Sequence, residues 1–304
     1  MKTKFWYVFV LIITLFAASV FGSTNPASTG LSFLKIGAGS RAIAMGEAYT
    51  AVANDPSATY WNPAGLAALN RTEVLFTHNK WIQDITNEFA ALGIRSGKNG
   101  FGIGVMVNTI PGIERRVIPS NEPLDVLTAH DVMFGFSYAR KLTEHIHVGA
   151  TLKYLYQKIY IEESSGFACD FGMQYDTPLQ GMKAGLALQN FGAMSKFKEQ
   201  AAQLPRTVRL GFAYQLPVQI INWDLLIAAD WMKILQSTSH LNFGLESNFT
   251  KYFALRIGYQ TGFADKGIHT GFGIHFHRYR LDYAYVPFAS DLGDSHRISL
   301  GFGF

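Results

Sequence analysis

The chain has 304 residues, with 26 Lys+Arg against 22 Asp+Glu, and only 16% of its residues are charged. That is too little charge for a disordered segment or for a bundle of solvated helices, whose outer faces are ionic. Aromatics at 14% and 29 glycines point instead to a secreted or membrane β protein.

In chain order, Lys2 and Lys4 precede an apolar run from Phe5 to Phe16 and the small residues Ala17-Ala18-Ser19. A basic flank, a short apolar centre and a small-residue cleavage site predict a secretory signal peptide over residues 1–22, cut after Ser19 or Gly22. The run is shorter than the ~20 residues a membrane-spanning helix needs. Cleavage leaves 24 basic against 22 acidic residues and no basic stripe, so nucleic acid is not an expected partner. Cys169 is the only cysteine, so no disulfide within the chain supports the fold.

Residues 23–70 lack strand-like alternation. Gly37 to Tyr49 is rich in small residues, with Arg41, Met45 and Gly46 inside it. Asp55 directly before Pro56 predicts an N-cap followed by proline at the first helical position, and Asn62-Pro63-Ala64-Gly65-Leu66 predicts the end of that short helix. A segment this short cannot build its own core, so it is expected to dock in the lumen of a barrel as a plug or hatch.

From residue 71 to 304 the pattern has a period of two. Phe253, Leu255, Ile257 and Tyr259 alternate with Ala254, Arg256, Gly258 and Gln260, and Ile298, Leu300, Phe302 and Phe304 alternate with Arg297, Ser299, Gly301 and Gly303. About fourteen such runs occur, near 72–77, 87–95, 100–107, 131–138, 146–156, 167–175, 182–188, 207–214, 224–231, 239–246, 253–259, 268–275, 279–285 and 296–304. An even number of runs, each with one apolar face, predicts an all-β fold, a transmembrane antiparallel β-barrel. Odd-numbered gaps tend to be long, with 108–130 and 189–206 the largest and 157–166 and 286–295 moderate. Even-numbered gaps such as 96–99, 176–181 and 277–278 are short, with 215–223 an exception. Short periplasmic turns and longer outer loops have this alternation. Tyr138, Tyr156, Tyr175, Tyr214, Trp223, Trp231, Tyr252 and Tyr259 sit near run ends, as interfacial aromatic girdles do.

Charge on a lipid face costs ~2–4 kcal/mol at mid-bilayer for Arg. Asp131, Arg209, Asp224, Asp230, Glu246, Arg256, Asp282 and Arg297 are therefore expected to face the lumen, as a polar conduit or as mutually paired filling. Phe304 closes the last alternating run, like the terminal aromatic by which outer-membrane barrels are recognised for insertion. Ser32 and Lys35 form an isolated S-x-x-K without its partner motifs, and Gly100-Phe101-Gly102 and Gly271-Phe272-Gly273 lie in strand patterns rather than phosphate loops. Glycine there fits strand curvature or close packing of the plug. His145/His147 and His275/His277 lack a third ligand nearby, so no metal, cofactor or enzymatic activity is expected.

The stretch Gly39-Ser40-Arg41-Ala42 through Met45-Gly46-Glu47-Ala48, with Asp55-Pro56-Ser57-Ala58 and Asn62-Pro63-Ala64-Gly65-Leu66, resembles the N-terminal signature of the PorV/PorQ family. That family is similar to FadL-type fatty-acid transporters, which carry an NPAG-like element before a fourteen-stranded barrel. The resemblance implies a barrel in the bacterial outer membrane, surrounded by its lipid. It also implies a role around type IX secretion, in which secretion-machinery or secreted cargo proteins would meet loops 108–130 and 189–206 through Glu114, Arg115, Arg116, Lys196 and Lys198. The alternative is a FadL-like channel for fatty acids or other small hydrophobic ligands, with Arg41 or Lys35 facing a carboxylate.

Overall fold

The computed structural model describes residues 30–119, 122–197, 200–216, 224–235, 237–289 and 292–304. The expected signal peptide and Trp223 lie outside the described residues. Sixteen strands follow in order: β1 (Glu73–Lys80), β2 (Thr86–Ser96), β3 (Asn99–Arg115), β4 (Asp125–Lys141), β5 (Ile146–Ile159), β6 (Glu162–Asp176), β7 (Met182–Met194), β8 (Lys196–Phe197), β9 (Gln200–Ala201), β10 (Thr207–Leu216), β11 (Asp224–Ile234), β12 (Ser239–Asn248), β13 (Phe253–Gln260), β14 (Ile268–Phe276), β15 (Tyr279–Pro287) and β16 (Asp294–Gly303). β8 and β9 form a small hairpin of their own. The other fourteen pair antiparallel with their neighbours, and β16 returns to β1 to close the barrel, with Glu73 opposite Gly303 and Lys80 opposite His296.

Alternation decides which face is which. On β13 the outward residues Phe253, Leu255, Ile257 and Tyr259 are exposed, and the inward residues Ala254, Arg256, Gly258 and Gln260 are buried. The outward face is apolar all round, including Phe76, Phe136, Leu152, Phe167, Phe171 and Leu300, so lipid rather than a protein layer covers it. On β4 the outward Tyr138, Phe136, Phe134 and Val132 lie between outward Arg140 and His130. At ~3.4 Å per residue and a tilt of ~40°, that interval gives an apolar band of ~26 Å, close to the ~25 Å of membrane barrels. Tyr138, Tyr156, Tyr175, Tyr214, Trp231 and Tyr259 all take outward positions, and Tyr252 lies in the turn before β13.

Seven connections lie at one end of the barrel, here the loop end; six connections, the start of β1 and Phe304 lie at the other, the turn end. Three loop-end spans differ from expectation. Most of 108–130 is strand, because β3 runs to Arg115 and β4 begins at Asp125, leaving 116–119 and 122–124 outside the strands. Polar residues such as Thr109 and His130 replace the apolar parity where this hairpin rises past the band, while its ladder continues. The span 157–166 is a tight turn at Tyr160-Ile161, with Tyr160 at φ +56. The span 189–206 is taken up by the end of β7 and by the β8–β9 hairpin.

Residues 31–69 thread the lumen. They form two 3-10 turns, Ser32–Lys35 and Pro63–Ala68, and two short α-helices, Ser40–Ala44 and Ala58–Trp61. Trp61, Tyr49, Phe33, Ile43, Met45 and Leu66 are fully buried there, so the apolar core of the molecule is this hatch against the inner wall. The second helix starts later than expected: its N-cap is Ser57, and Asp55 instead braces the turn by accepting from Ser57 N. Pro63 does not simply end a helix. It opens the next 3-10 turn, with the Asn62 side chain accepting from Ala64 N as its cap.

Candidate functional site: hatch, ion ring and a break in the wall

The barrel makes room for the hatch by omitting side chains. Gly100, Gly149, Gly172, Gly185, Gly211, Gly244, Gly258 and Gly271 face it from eight strands, and a Cβ on any of them would come within 3.0 Å of hatch atoms. The expectation of close hatch packing holds for Gly100, Gly102 and Gly271, with Leu66, Thr59 and Ala44 as the respective neighbours, whereas Gly273 faces Asp282 and Arg256 of the wall. Gly46 is the reciprocal case on the hatch. It sits at φ +61, and a Cβ there would lie 2.7 Å from Tyr259 N and 2.8 Å from Phe243 O. Met45 fills the space beside it against Gly244. Gly65 has ordinary dihedrals, so it does not free a turn as expected; a Cβ there would collide with the Ala53 carbonyl.

Wall side chains satisfy the hatch backbone. Asp230 accepts from Tyr49 N at 3.2 Å and Thr50 N at 3.0 Å, and Gln174 Nε2 donates to Ala53 O at 2.9 Å. Gln189 Nε2 donates to Tyr60 O at 2.6 Å. Asn62 Nδ2 donates to Thr50 O at 2.8 Å and to Met173 O on β6 at 3.1 Å. Pro56 supplies a carbonyl to Thr59 Oγ1 at 2.9 Å.

Toward the turn end the ions close into a ring. Arg41 grips Glu246 with both prongs of its guanidinium, Nε–Oε2 2.7 Å and Nη2–Oε1 2.8 Å. Glu246 Oε2 also takes Arg256 Nε at 2.7 Å, and Arg256 Nη1 reaches Asp282 Oδ1 at 2.7 Å. Arg280 then links Asp282 at 3.1 Å, Glu73 at 3.0 Å and, back on the hatch, Asp55 at 3.3 Å. Tyr49 closes the circuit by donating to Asp55 at 2.9 Å and accepting from Arg41 Nη1 at 3.1 Å. Burial alone would raise the Asp55 carboxyl, but Arg280 and Arg41 outweigh it and hold the group below the usual carboxylate range. Two hatch charges, Arg41 and Asp55, are thus locked to two strands, β12 and β15, by charge-assisted bonds. Below the ring opens a polar cavity of ≈ 550 Å³, lined by Arg41, Asn54, Arg71, Lys251, His277 and Arg280 among others. Asp224, expected inside, lies exposed at the rim of this cavity.

On the other side of the hatch, Glu47 meets Arg209 at 3.1 Å and Lys266 at 3.5 Å. Burial raises the Glu47 carboxyl, but these cations prevail and hold it down to about 2. Arg209 also lies over the Trp61 ring at 4.9 Å. Asp131 is buried and accepts from Asn108 at 3.1 Å and Gln157 at 2.9 Å. Arg297 is buried at 4% exposure and donates to the carbonyls of Gly37 and Ile36. Phe304 ends the chain at the turn end, its amide donating to Thr72 O at 2.9 Å. Glu73 and Arg280 are absent from the sequence reading, and Glu47 and Tyr49 enter it only as members of the small-residue stretch, without a role. Arg280 was findable, because it shares the inward parity of Asp282 between outward Tyr279 and Leu281.

On the loop side the ladder between β7 and β10 stops short of the one between β6 and β7. β10 pairs with β7 only from Met182–Tyr214 to Gln189–Thr207; beyond, Phe191–Met194 pair with β6 alone. The cause is a bulge. Asn190 sits at φ +63, opposite a register shift between Cys169 and Phe171. It is pinned by Lys153, whose ammonium contacts Asp170 at 2.6 Å and Asn190 Oδ1 at 2.9 Å, and by Asn190 N donating to Asp170 at 2.7 Å. Asn190 Nδ2 holds the carbonyl of Pro205 in the returning loop at 3.1 Å. The notch beside the free edge of β7 is a cavity of ≈ 300 Å³ lined by Gly192, Ala193, Met194, Ala201, Ala202, Gln203, Leu204 and Arg206. Lys196 is exposed above it, and Lys198 lies outside the described residues. No group of three metal-ligating side chains is present among the described residues; His145 is exposed in a turn and His147 buried on β5.

Residues 17–304 match the model of an uncharacterised protein family, UPF0164. A UPF0164 protein of Treponema pallidum (strain Nichols) is 26% identical over 226 residues, covering 65% of this chain and 53% of its own; the chain thus spans about half the length of that relative. Solved structures share the fold at low identity. The Ralstonia pickettii toluene transporter TbuX is 14% identical with a TM-score of 0.61, over 88% of this chain and 98% of its own. The P. putida toluene transporter TodX is 11% identical with a TM-score of 0.63, over 88% and 99%. A Pseudomonas aeruginosa FadL homologue is 12% identical with a TM-score of 0.55, over 86% and 96%.

Proposed function

The chain belongs to the uncharacterised family UPF0164, and we propose that it is a non-enzymatic outer-membrane channel that admits small hydrophobic molecules. The observation that carries this reading is the interrupted wall between β7 and β10, opening beside a lumen filled by the hatch. A molecule with little polar surface has no use for a water-filled bore; a notch at the lipid face gives it a short way between loops and hydrocarbon. The loop end then faces outside and Phe304 the periplasm, which agrees with short turns on that side. The fold neighbours described as a toluene transporter and a FadL homologue support the same class of cargo. Residues 1–22 act as the export signal, 23–70 as the hatch and 71–304 as the barrel.

The experiment is native mass spectrometry of the full-length product after gentle detergent extraction. Bound apolar small molecules, with no stoichiometric protein partner, are the expected result. Recovery with a large secreted or secretion-machinery protein would favour a second reading, a type IX secretion barrel. That reading is supported by the likeness of residues 36–69 to the PorV/PorQ signature, and its docking surface would be the 116–124 and 195–206 connections.

A further inference from the structure

Independently of that reading, we propose that the loop-end side of the hatch holds a small monovalent anion, of halide size, between Arg297 and Lys266. Three cationic side chains, Arg209, Lys266 and Arg297, gather near a single carboxylate, Glu47, among the described residues. Glu47 is already shared by Arg209 and Lys266. Arg297 has no carboxylate within ion-pair distance among the described residues, although it is buried at 4% exposure. Its Nη atoms serve the carbonyls of Gly37 at 3.0 Å and Ile36 at 2.8 Å, and its Nε–H has no protein acceptor. Buried charges are as a rule paired, because leaving one without a counter-charge costs several kcal/mol.

The geometry supplies a place for the missing charge. Arg297 lines a small recess of ≈ 30 Å³, together with Lys35, Glu47, Lys266, His269 and Ser295, and with Trp81 and Phe288 in its apolar lining. A volume of that order takes one monatomic ion or one water. Lys266 brings an ammonium whose contacts are Glu47 Oε1 at 3.5 Å and the Phe263 ring at 4.5 Å, which leaves donors for a further acceptor. His269 Nδ1 donates to the Ile43 carbonyl at 2.9 Å, so the neutral ring adds no second donor, and the site rests on the two cations. The anion would tie β16 and the 261–267 loop to the start of the hatch.

The test uses crystals of the full-length mature protein grown in sodium bromide, with anomalous data at the bromine edge. A peak in the recess beside Arg297 Nε is expected; ordinary water density without anomalous signal would overturn the proposal. In detergent solution, the thermal midpoint is expected to rise with bromide over gluconate at equal ionic strength. Lys266→Met, on a loop, should weaken that apparent affinity by about tenfold, the loss of one charge-assisted bond. Bromide dependence unchanged in both Lys266→Met and Arg297→Gln would equally sink the site. A short carboxylate such as butyrate distinguishes a fatty-acid carboxylate from a monatomic ion. Protection by bromide but not by butyrate supports the halide-sized site drawn here, and preference for butyrate contradicts it.

Discussion

Gly46 stands where the hatch backbone touches the paired Gly244 and Gly258 of β12 and β13, so space and dihedral both exclude a side chain. Gly46→Ala is expected to destabilise the folded barrel by about 2–4 kcal/mol, from left-handed strain plus overpacking. Heat-modifiable gel mobility in detergent measures it; an unchanged midpoint would show that the hatch does not bear on the wall there. Glu47 carries a pH signature. Its folded-state carboxyl titrates near about 2 instead of 4.5, so its contribution is complete above the ordinary value and is lost as pH falls from there toward the folded one. Hydrogen exchange should show hatch amides losing protection across that acidic window, and Glu47→Gln should remove the dependence. Sequence motifs singled out Arg41 and Asp55 because they sit in a recognisable signature. Glu47 lies in the same stretch, yet its partners Arg209 and Lys266 are more than 150 residues away, and only the closed barrel brings them together.

Among the elements, β7 decides the shape of the wall. Its bulge at Asn190 depends on Lys153 and Asp170, both almost wholly buried. Lys153→Met leaves a buried carboxylate without its counter-charge, an expected loss of about 3–5 kcal/mol. The double replacement Lys153→Met, Asp170→Leu should recover most of it, since a well-packed apolar pair can match a buried ion pair. Intrinsic tryptophan fluorescence during thermal unfolding reports both. Strand alternation revealed β13 and the second half of β16 plainly, because every second residue there, from Phe253 to Tyr259 and from Ile298 to Phe302, is apolar and faces lipid. It lost β3 and β4 beyond the apolar band, where hydrogen bonding persists without hydrophobic contrast, and it is silent on a bulge, whose cause is a contact between three strands.

At the scale of the molecule, the barrel is a lipid-covered shell whose core is its own N-terminal segment. The ring Arg41–Glu246–Arg256–Asp282–Arg280–Asp55 fastens that segment across β12, β13 and β15. Arg41→Ala breaks a bidentate contact and leaves Glu246 with Arg256 alone, so single-channel recordings in planar bilayers should show brief ion-conducting openings absent from the wild type. A silent variant would mean that other contacts suffice to seat the hatch. The central claim is that apolar molecules pass at the β7–β10 break rather than along the axis. It is tested most directly by toluene and sucrose uptake into vesicles holding the wild type or Ala201→Trp, which narrows the notch from an exposed position. Faster toluene entry in the wild type, sucrose exclusion, and a return to the empty-vesicle rate in Ala201→Trp are expected; equal toluene entry in the two proteins, or passage of sucrose, would contradict the account.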